Sequence, residues 1–385
     1  MKFNPRIELK GDKIIWITVL FLFIFSLLTV YSASVTLAYK YKQGDTEYYL
    51  LRQFVMLSGG LVAMYFAHKI PYWYYSRISQ IAMFIAVPLL IITLFMGVEL
   101  NDAKRVLPLP FGFSFQTSDL GKLALMLYLA RLLTKKQSQI KSFKDAFVPL
   151  MIPVLIVCGL IVPENFSTAA LLFFASLVLM FIGRVNIKYI LSLLGLGVAI
   201  FALFILFMYA FSKDDMGRIS TWKSRIETFM DDNPDSESYY QVEQSKIAIA
   251  KGGLIGVMPG NSQQKNFLPH PYSDFIFAII IEEYGLIGSG FIILLYLVIF
   301  YRAIKIVARF PKHFGAFLAF GLSFLMILQA MINMGVAVNL LPVTGQPLPL
   351  VSAGGTSTIL MSISVGIILS VSKETVENNE QHAIA

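Results

Sequence analysis

Ten predominantly apolar stretches recur along the 385-residue chain, at 14–36, 50–68, 78–97, 118–133, 146–162, 167–183, 189–211, 275–300, 315–338 and 354–371. Segments of about 17–25 apolar residues are long enough to cross a ~30 Å hydrocarbon core as helices. The pattern therefore predicts an all-α polytopic membrane protein with about ten transmembrane helices. The fourth run is the shortest and carries Asp119 and Lys122 in its first turns. Between the seventh and eighth runs the pattern turns polar over 212–273, which predicts one large loop ending at Asp274, where the apolar run Phe275–Phe300 begins. Within that loop Ile219, Trp222, Ile226 and Phe229 recur at helical spacing, as expected of an amphipathic helix lying on the membrane. A second helix is expected over YYQVEQSKIAIAKGG, stopping at Gly252 and Gly253.

Composition agrees with the pattern: 57% of residues are hydrophobic, 14% are charged, and mean hydropathy is +0.70. These values exclude a soluble globule. An even number of spans brings both termini to one side. If that side is cytoplasmic, its segments hold 18 of the 31 basic residues, whereas the short outer connections hold only Lys40, Lys42, Lys104 and Arg105. Both termini are therefore expected in the cytoplasm and the 212–273 loop outside. The net charge of +8 follows from this anchoring and gives no reason to invoke nucleic acid. The single cysteine, Cys158, falls mid-helix, so the loop contains no disulfide. The first run has no cleavage pattern behind it and is expected to remain as a helix. The whole chain reads as one membrane domain, with 372–385 a polar tail expected to be disordered.

Ionisable residues inside apolar runs need an explanation, because a charge at mid-bilayer costs about 2.5–3.5 kcal/mol on insertion scales. Asp119 and Lys122, three apart, share a helix face with Ser118 beside it. Glu282 and Glu283 follow Asp274 by eight and nine residues, which in a continuous helix places them about 12–13 Å deeper. They read either as buried groups fixing helix packing, through Lys122 or another polar surface, or as direct parts of a site. Lys104 and Arg105, ahead of the fourth run, suit either a pyrophosphate or an interfacial anchor. The last outer connection, NLLPVTGQPLPLVSAGGTS, carries no charge and holds Pro342, Pro347 and Pro349. It is expected to be a re-entrant segment packed within the protein.

In order along the chain, AKR followed by GFSFQTSDLGKLAL (103–125), ENFSTA (164–169), YYQVEQSKIAIAKGGLIG (239–256), GNSQQKNFLP (260–269), SDFIFAIIIEEYGLIG (273–288) and NMGVAVNLLPVTGQPLPLVSAGGTS (333–357) resemble the FtsW/RodA, or SEDS, family from the first helix to the last. The GNSQQKNFLP stretch and the compact length look more like the division branch than the elongation branch. Three departures stand out: QTSD where QPSE is common, ENFSTA where PDFGTA is common, and HPYSD where EAHTD is common. The last places Tyr272 where a histidine often stands, and the second places Asn165 where an acid does.

The resemblance implies a peptidoglycan glycosyltransferase that polymerises lipid II into glycan strands on the outer face of the bacterial cytoplasmic membrane, at the division septum or in elongation. It maps the family's essential carboxylate onto Asp274. Because lipid II is α-linked and the glycan β-linked, one inverting displacement with Asp274 as general base would suffice. Arg105 and Lys122 are first choices for holding the leaving pyrophosphate, followed by Lys265 and Lys251, with Gln116 and Ser118 from the same motif. Asp119, Glu282, Glu283, Asn261 and Ser352 are expected to support the site. A divalent cation, Mg or Mn, is open as a cofactor. The expected partners are a class B penicillin-binding protein, other divisome proteins and the bilayer. A lipid II flippase, an O-antigen-type polymerase or ligase, and a scaffold recruiting a transpeptidase are the competing readings.

Overall fold

The computed structural model describes residues 10–41, 44–100, 103–108, 114–211, 237–269, 271–310 and 312–384. In chain order its helices are α1 (Lys13–Ala33), α2 (Val35–Tyr41), α3 (Thr46–Lys69), α4 (Tyr75–Met96), α5 (Thr117–Lys135), α6 (Val148–Ile161), α7 (Phe166–Ile182), α8 (Ile187–Phe211), α9 (Glu237–Gly252), α10 (Ile276–Arg309), α11 (His313–Ala337) and α12 (Thr356–Ile384). All but α2 and α9 coincide with the ten apolar runs. Among the described residues, seven helical segments are long and apolar enough to cross a membrane on those grounds alone. Of the other three, α7 is 17 residues long, α8 runs for 25 residues, and α5 carries Asp119, Lys122, Arg131 and Lys135.

Side-chain caps mark where several helices begin, each carboxylate or amide oxygen accepting from an otherwise orphaned backbone N–H. Asp12 accepts from Ile14 (3.0 Å), Asp45 from Tyr48 (3.1 Å) and Asn165 from Thr168 (3.0 Å). Between α4 and α5 the chain forms a small antiparallel sheet in the order β1 (Val98–Leu100), β2 (Ala103–Pro108), β3 (Ser114–Gln116), with Val106 opposite Gln116. The sheet lies just ahead of the fourth apolar run. The first amphipathic helix expected in the large loop lies outside the described residues; the second is α9.

Helix lengths locate the two ends of the bundle. At one end Asp12 pairs with Arg302 (2.5 Å), and its backbone N–H donates to Ser372 (3.0 Å). At ~1.5 Å per residue, Ser32 lies roughly 30 Å along its helix from Asp12, and Asn333 as far along its own from His313. Ser32 donates to Glu283, and Asn333 donates to the backbone oxygen of Asp274 (2.8 Å). Asp274 and Glu283 therefore sit at one height, near the opposite end. This corrects the expectation that Glu282 and Glu283 lie deeper in the membrane than Asp274. The cause is Gly285 (φ 67, ψ −170), which breaks α10 and leaves 276–284 as a short separate helix running across the bundle end.

Through the polar tail, α12 continues as helix to Ile384. Extending a helix already nucleated in the buried bundle avoids the cost of starting one, and Glu, Gln and Ala tolerate helix well.

Candidate active site at the outer end of the bundle

Asp274 reaches its place through its backbone. Its carbonyl accepts from Asn333, whose amide also donates to Gln346 O (2.7 Å). Ser352 donates to Ser273 O (2.7 Å) and accepts from Leu348 N (2.7 Å), and Ala353 N donates to Tyr272 O (3.0 Å). Residues 272–274 are thus laced to the uncharged connection between α11 and α12, while the Ser273 hydroxyl donates to the Asp274 carboxylate (2.8 Å).

That connection behaves as a re-entrant segment should. Away from water its backbone groups need partners from the protein. Gln329 donates to Pro347 O (3.0 Å), Ser26 to Val351 O (2.7 Å), and Tyr296 to Pro349 O. Gly345 (φ 66) and Leu350 (φ 63) supply the left-handed turns that fold the segment back.

Asp274 lines a cavity of about 450 Å³ at this end of the bundle. Val30 of α1, Ser34 just after it, Tyr49, Arg52 and Gln53 of α3, and Gln116, Asn165 and Gly354 also line it. Among the described lining residues Arg52 is the one cation and Asp274 the one carboxylate. Around them stand neutral hydrogen-bonding groups. Gln53 is buried with its amide donating to Ser26 (2.8 Å), and Gln116 donates to Ser118 (3.1 Å). Ser34 and Ser357 add hydroxyls to the lining. Such a chamber, polar and walled by fixed amides, suits a hydroxylated substrate with an anionic part.

Most of the other expected site residues do not reach this lining. Lys122 is buried behind it, paired with Asp119 (2.6 Å) and donating to Gln329 (3.0 Å), the residue that holds Pro347. The Asp119–Lys122 pairing follows the expected shared face, although its further partner is Gln329 and neither glutamate. Lys265 is buried against Gly260 O (2.6 Å) and Ser32 (3.4 Å), Lys251 donates to Gln263 (2.8 Å), and Asn261 donates to Val257 O (3.2 Å). All three belong to the loop beside the short helix. Glu282 and Glu283 meet that loop and α1, so the reading that paired them with Lys122 is replaced. Ser352, expected among the supporting residues, holds the Ser273 backbone oxygen. Arg105 lies on β2, next to the cavity-lining Val106. Among the described residues no group of three or more His, Cys, Asp or Glu comes together to hold a metal. The lining offers a divalent ion one carboxylate, which fits an ion held mainly by a substrate's phosphates.

The family described as cell cycle protein, FtsW/RodA/SpoVE, matches residues 12–377. The chain belongs to it. Stage V sporulation protein E of Bacillus subtilis is 34% identical over 366 residues, covering 94% of this chain and 97% of the relative. The "Probable peptidoglycan glycosyltransferase FtsW" of Hydrogenovibrio crunogenus is 32% identical, covering 93% and 90%. Among solved structures, a chain of a peptidoglycan synthase complex that coordinates polymerization and crosslinking superposes with a TM-score of 0.73 at 22% identity, covering 95% and 98%. The RodA of Thermus thermophilus gives 0.68 at 22% identity, covering 94% and 97%. The polytopic helical fold is thus that of the FtsW/RodA/SpoVE family.

Within the family frame, the sequence reading missed Arg52 and Gln53. Both sit in the second apolar run, outside every motif that carried the resemblance. A charged residue close to the start of that run, with Gln beside it, was the available signal. Asn165, singled out as a lost acid, caps α7 through its side-chain oxygen, a task that Asn and Asp perform equally.

Proposed function

We propose that the protein is a peptidoglycan glycosyltransferase that polymerises lipid II at the outer face of the bacterial cytoplasmic membrane. The observation that carries this reading is the outer-end cavity in which a half-buried carboxylate, Asp274, and a half-buried guanidinium, Arg52, share one polar chamber. A flippase would need a path through the bundle, whereas this chamber lies at one end of it. The names of the relatives support the same chemistry.

In the proposed reaction the 4-hydroxyl of the acceptor GlcNAc attacks the anomeric carbon of a MurNAc carried on undecaprenyl pyrophosphate. Asp274 takes the hydroxyl proton as the new C–O bond forms and the bond to the pyrophosphate oxygen breaks. The Ser273 hydroxyl, donating to the same carboxylate, orients it. Charge grows on the departing pyrophosphate, and a guanidinium fixed beforehand stabilises that charge without reorganising. Arg52 takes this role on the lining, with Arg105 of the adjoining strand β2 as the second cation. Lys122 and Asp119 act one layer back, through Gln329, by fixing the wall at Pro347. Gln53, Gln116, Asn165 and Ser357 supply donors and acceptors for sugar hydroxyls and acetamido groups. A divalent cation would take Asp274 as its protein carboxylate and neutralise diphosphate charge.

Cross-linking is assigned to a class B penicillin-binding protein acting as partner. The FtsW relatives favour septal synthesis with other divisome proteins over elongation. The test is polymerisation of lipid II by the purified protein with its cognate transpeptidase, wild type beside Asp274→Asn.

A further inference from the structure

We propose that Glu282 and Glu283 are positioning residues: by pinning the far end of the short helix 276–284 to the outer loop and to α1, they set where the Asp274 carboxylate stands. The proposal rests on the reading of Asp274 as the base. Neither glutamate lines the cavity, and each is 1% exposed.

The Glu282 carboxylate accepts from the Ser262 hydroxyl and from the backbone N–H groups of Gln263 (3.0 Å) and Gln264 (3.3 Å). It thus caps the turn at Gln264–Asn266. Glu283 accepts from Ser32 of α1, and the same hydroxyl accepts from Lys265 (3.4 Å), so three segments converge there. Just beyond, the break at Gly285 is filled by the loop. Leu286 N donates to Gly253 O (3.0 Å), Ile287 N to Leu254 O (3.2 Å), and Val257 N to Glu282 O (2.9 Å). These bonds satisfy backbone groups that the break removes from the helix ladder. A Cβ on Gly252 would meet Ile281 O at 2.1 Å, and one on Gly256 would meet Glu283 O at 2.3 Å. Loop and helix end therefore touch backbone to backbone and cannot slide independently. The helix between is buried throughout Ile276–Glu283, about 12 Å long, and stiff enough to carry displacement from one end to the other. Lys265, held in this cluster, belongs to the pin rather than to the pyrophosphate site.

The test compares Glu282→Ala with Glu282→Gln in the full-length protein with its transpeptidase. A misplacement of about 1 Å costs on the order of 100-fold, so Glu282→Ala is expected to lower kcat at least ~10-fold with KM for lipid II within ~2-fold. Gln keeps an oxygen for the two N–H groups and is expected to hold kcat within ~3-fold of wild type. Equal loss in both variants would show that the carboxylate itself is needed in the chemistry, and would overturn the positioning role. So would an unchanged Glu282→Ala, or a change confined to KM. Should Glu282→Ala fail to fold, Ser262→Ala removes a single hydrogen bond and is expected to lower kcat by about 2- to 5-fold. A readout without turnover uses Asp274→Cys in a Cys158→Ser background, labelled by a membrane-impermeant maleimide. Adding Glu282→Ala is expected to change the labelling rate; an unchanged rate overturns the coupling. A changed rate with no glycan from wild type supports the coupling and contradicts the activity reading alone.

Discussion

Arg52 and Asp274 bring opposite charges to one chamber, and their assigned tasks separate in kinetics. A charge-assisted hydrogen bond to phosphate is worth about 1.5–3 kcal/mol. Arg52→Ala is therefore expected to lower kcat/KM by roughly 10- to 150-fold, with Arg52→Lys recovering part of it; steady-state polymerisation at varied lipid II measures both. Lys122 should behave differently. Its removal as Lys122→Met leaves Asp119 buried and uncompensated, with Oδ2 already lacking a described hydrogen-bond partner. Breaking a buried pair in this way costs about 3–5 kcal/mol. Thermal unfolding in detergent should show that loss for Lys122→Met and a smaller one for Lys122→Met with Asp119→Asn. Asp274 was legible because it stands where a polar loop meets an apolar run and within a recognisable motif. Arg52 was not, because its meaning comes from lining one cavity with 272–274, a long-range juxtaposition without local pattern. Lys122 and Lys265 misled in the opposite direction: both are cations in the right motifs, and both turn into buried partners.

At the level of elements, the helices themselves were written in the apolar pattern, and α9 in its amphipathic spacing. The break in α10 was not. Gly285 stands in an apolar context where a helix tolerates glycine, and only the loop filling the gap reveals its left-handed conformation. The depth assigned to Glu282 and Glu283 failed for that reason. The packing of loop against break predicts a contrast between neighbouring glycines. Gly256→Ala puts a Cβ 2.3 Å from Glu283 O at φ +88, whereas Gly253→Ala, at φ +51, meets nothing within 4 Å. Backbone strain alone costs about 1–2 kcal/mol, and the clash adds to it only at Gly256. Thermal unfolding should therefore rank Gly256→Ala clearly below Gly253→Ala, which in turn falls below wild type. Equal values would mean that the loop does not seat against the break.

Across the whole molecule, hydropathy and basic-residue bias gave the class, the shared side of the termini and the place of the large loop. Six motifs in order gave the family. What they could not give is height: the uncharged 339–355 segment folds back into the bundle, and helix 276–284 turns across its end, so that residues far apart in sequence meet at one level. The chamber made there is the basis for assigning polymerisation to this chain. The most direct test is lipid II polymerisation by the purified wild-type protein and Asp274→Asn, each with the cognate transpeptidase, reading glycan length on a gel. The account predicts glycan from wild type and none from Asp274→Asn, with both proteins folded and bound to the partner. Substantial glycan from Asp274→Asn, or none from wild type with lipid II proven competent by another polymerase, would contradict it.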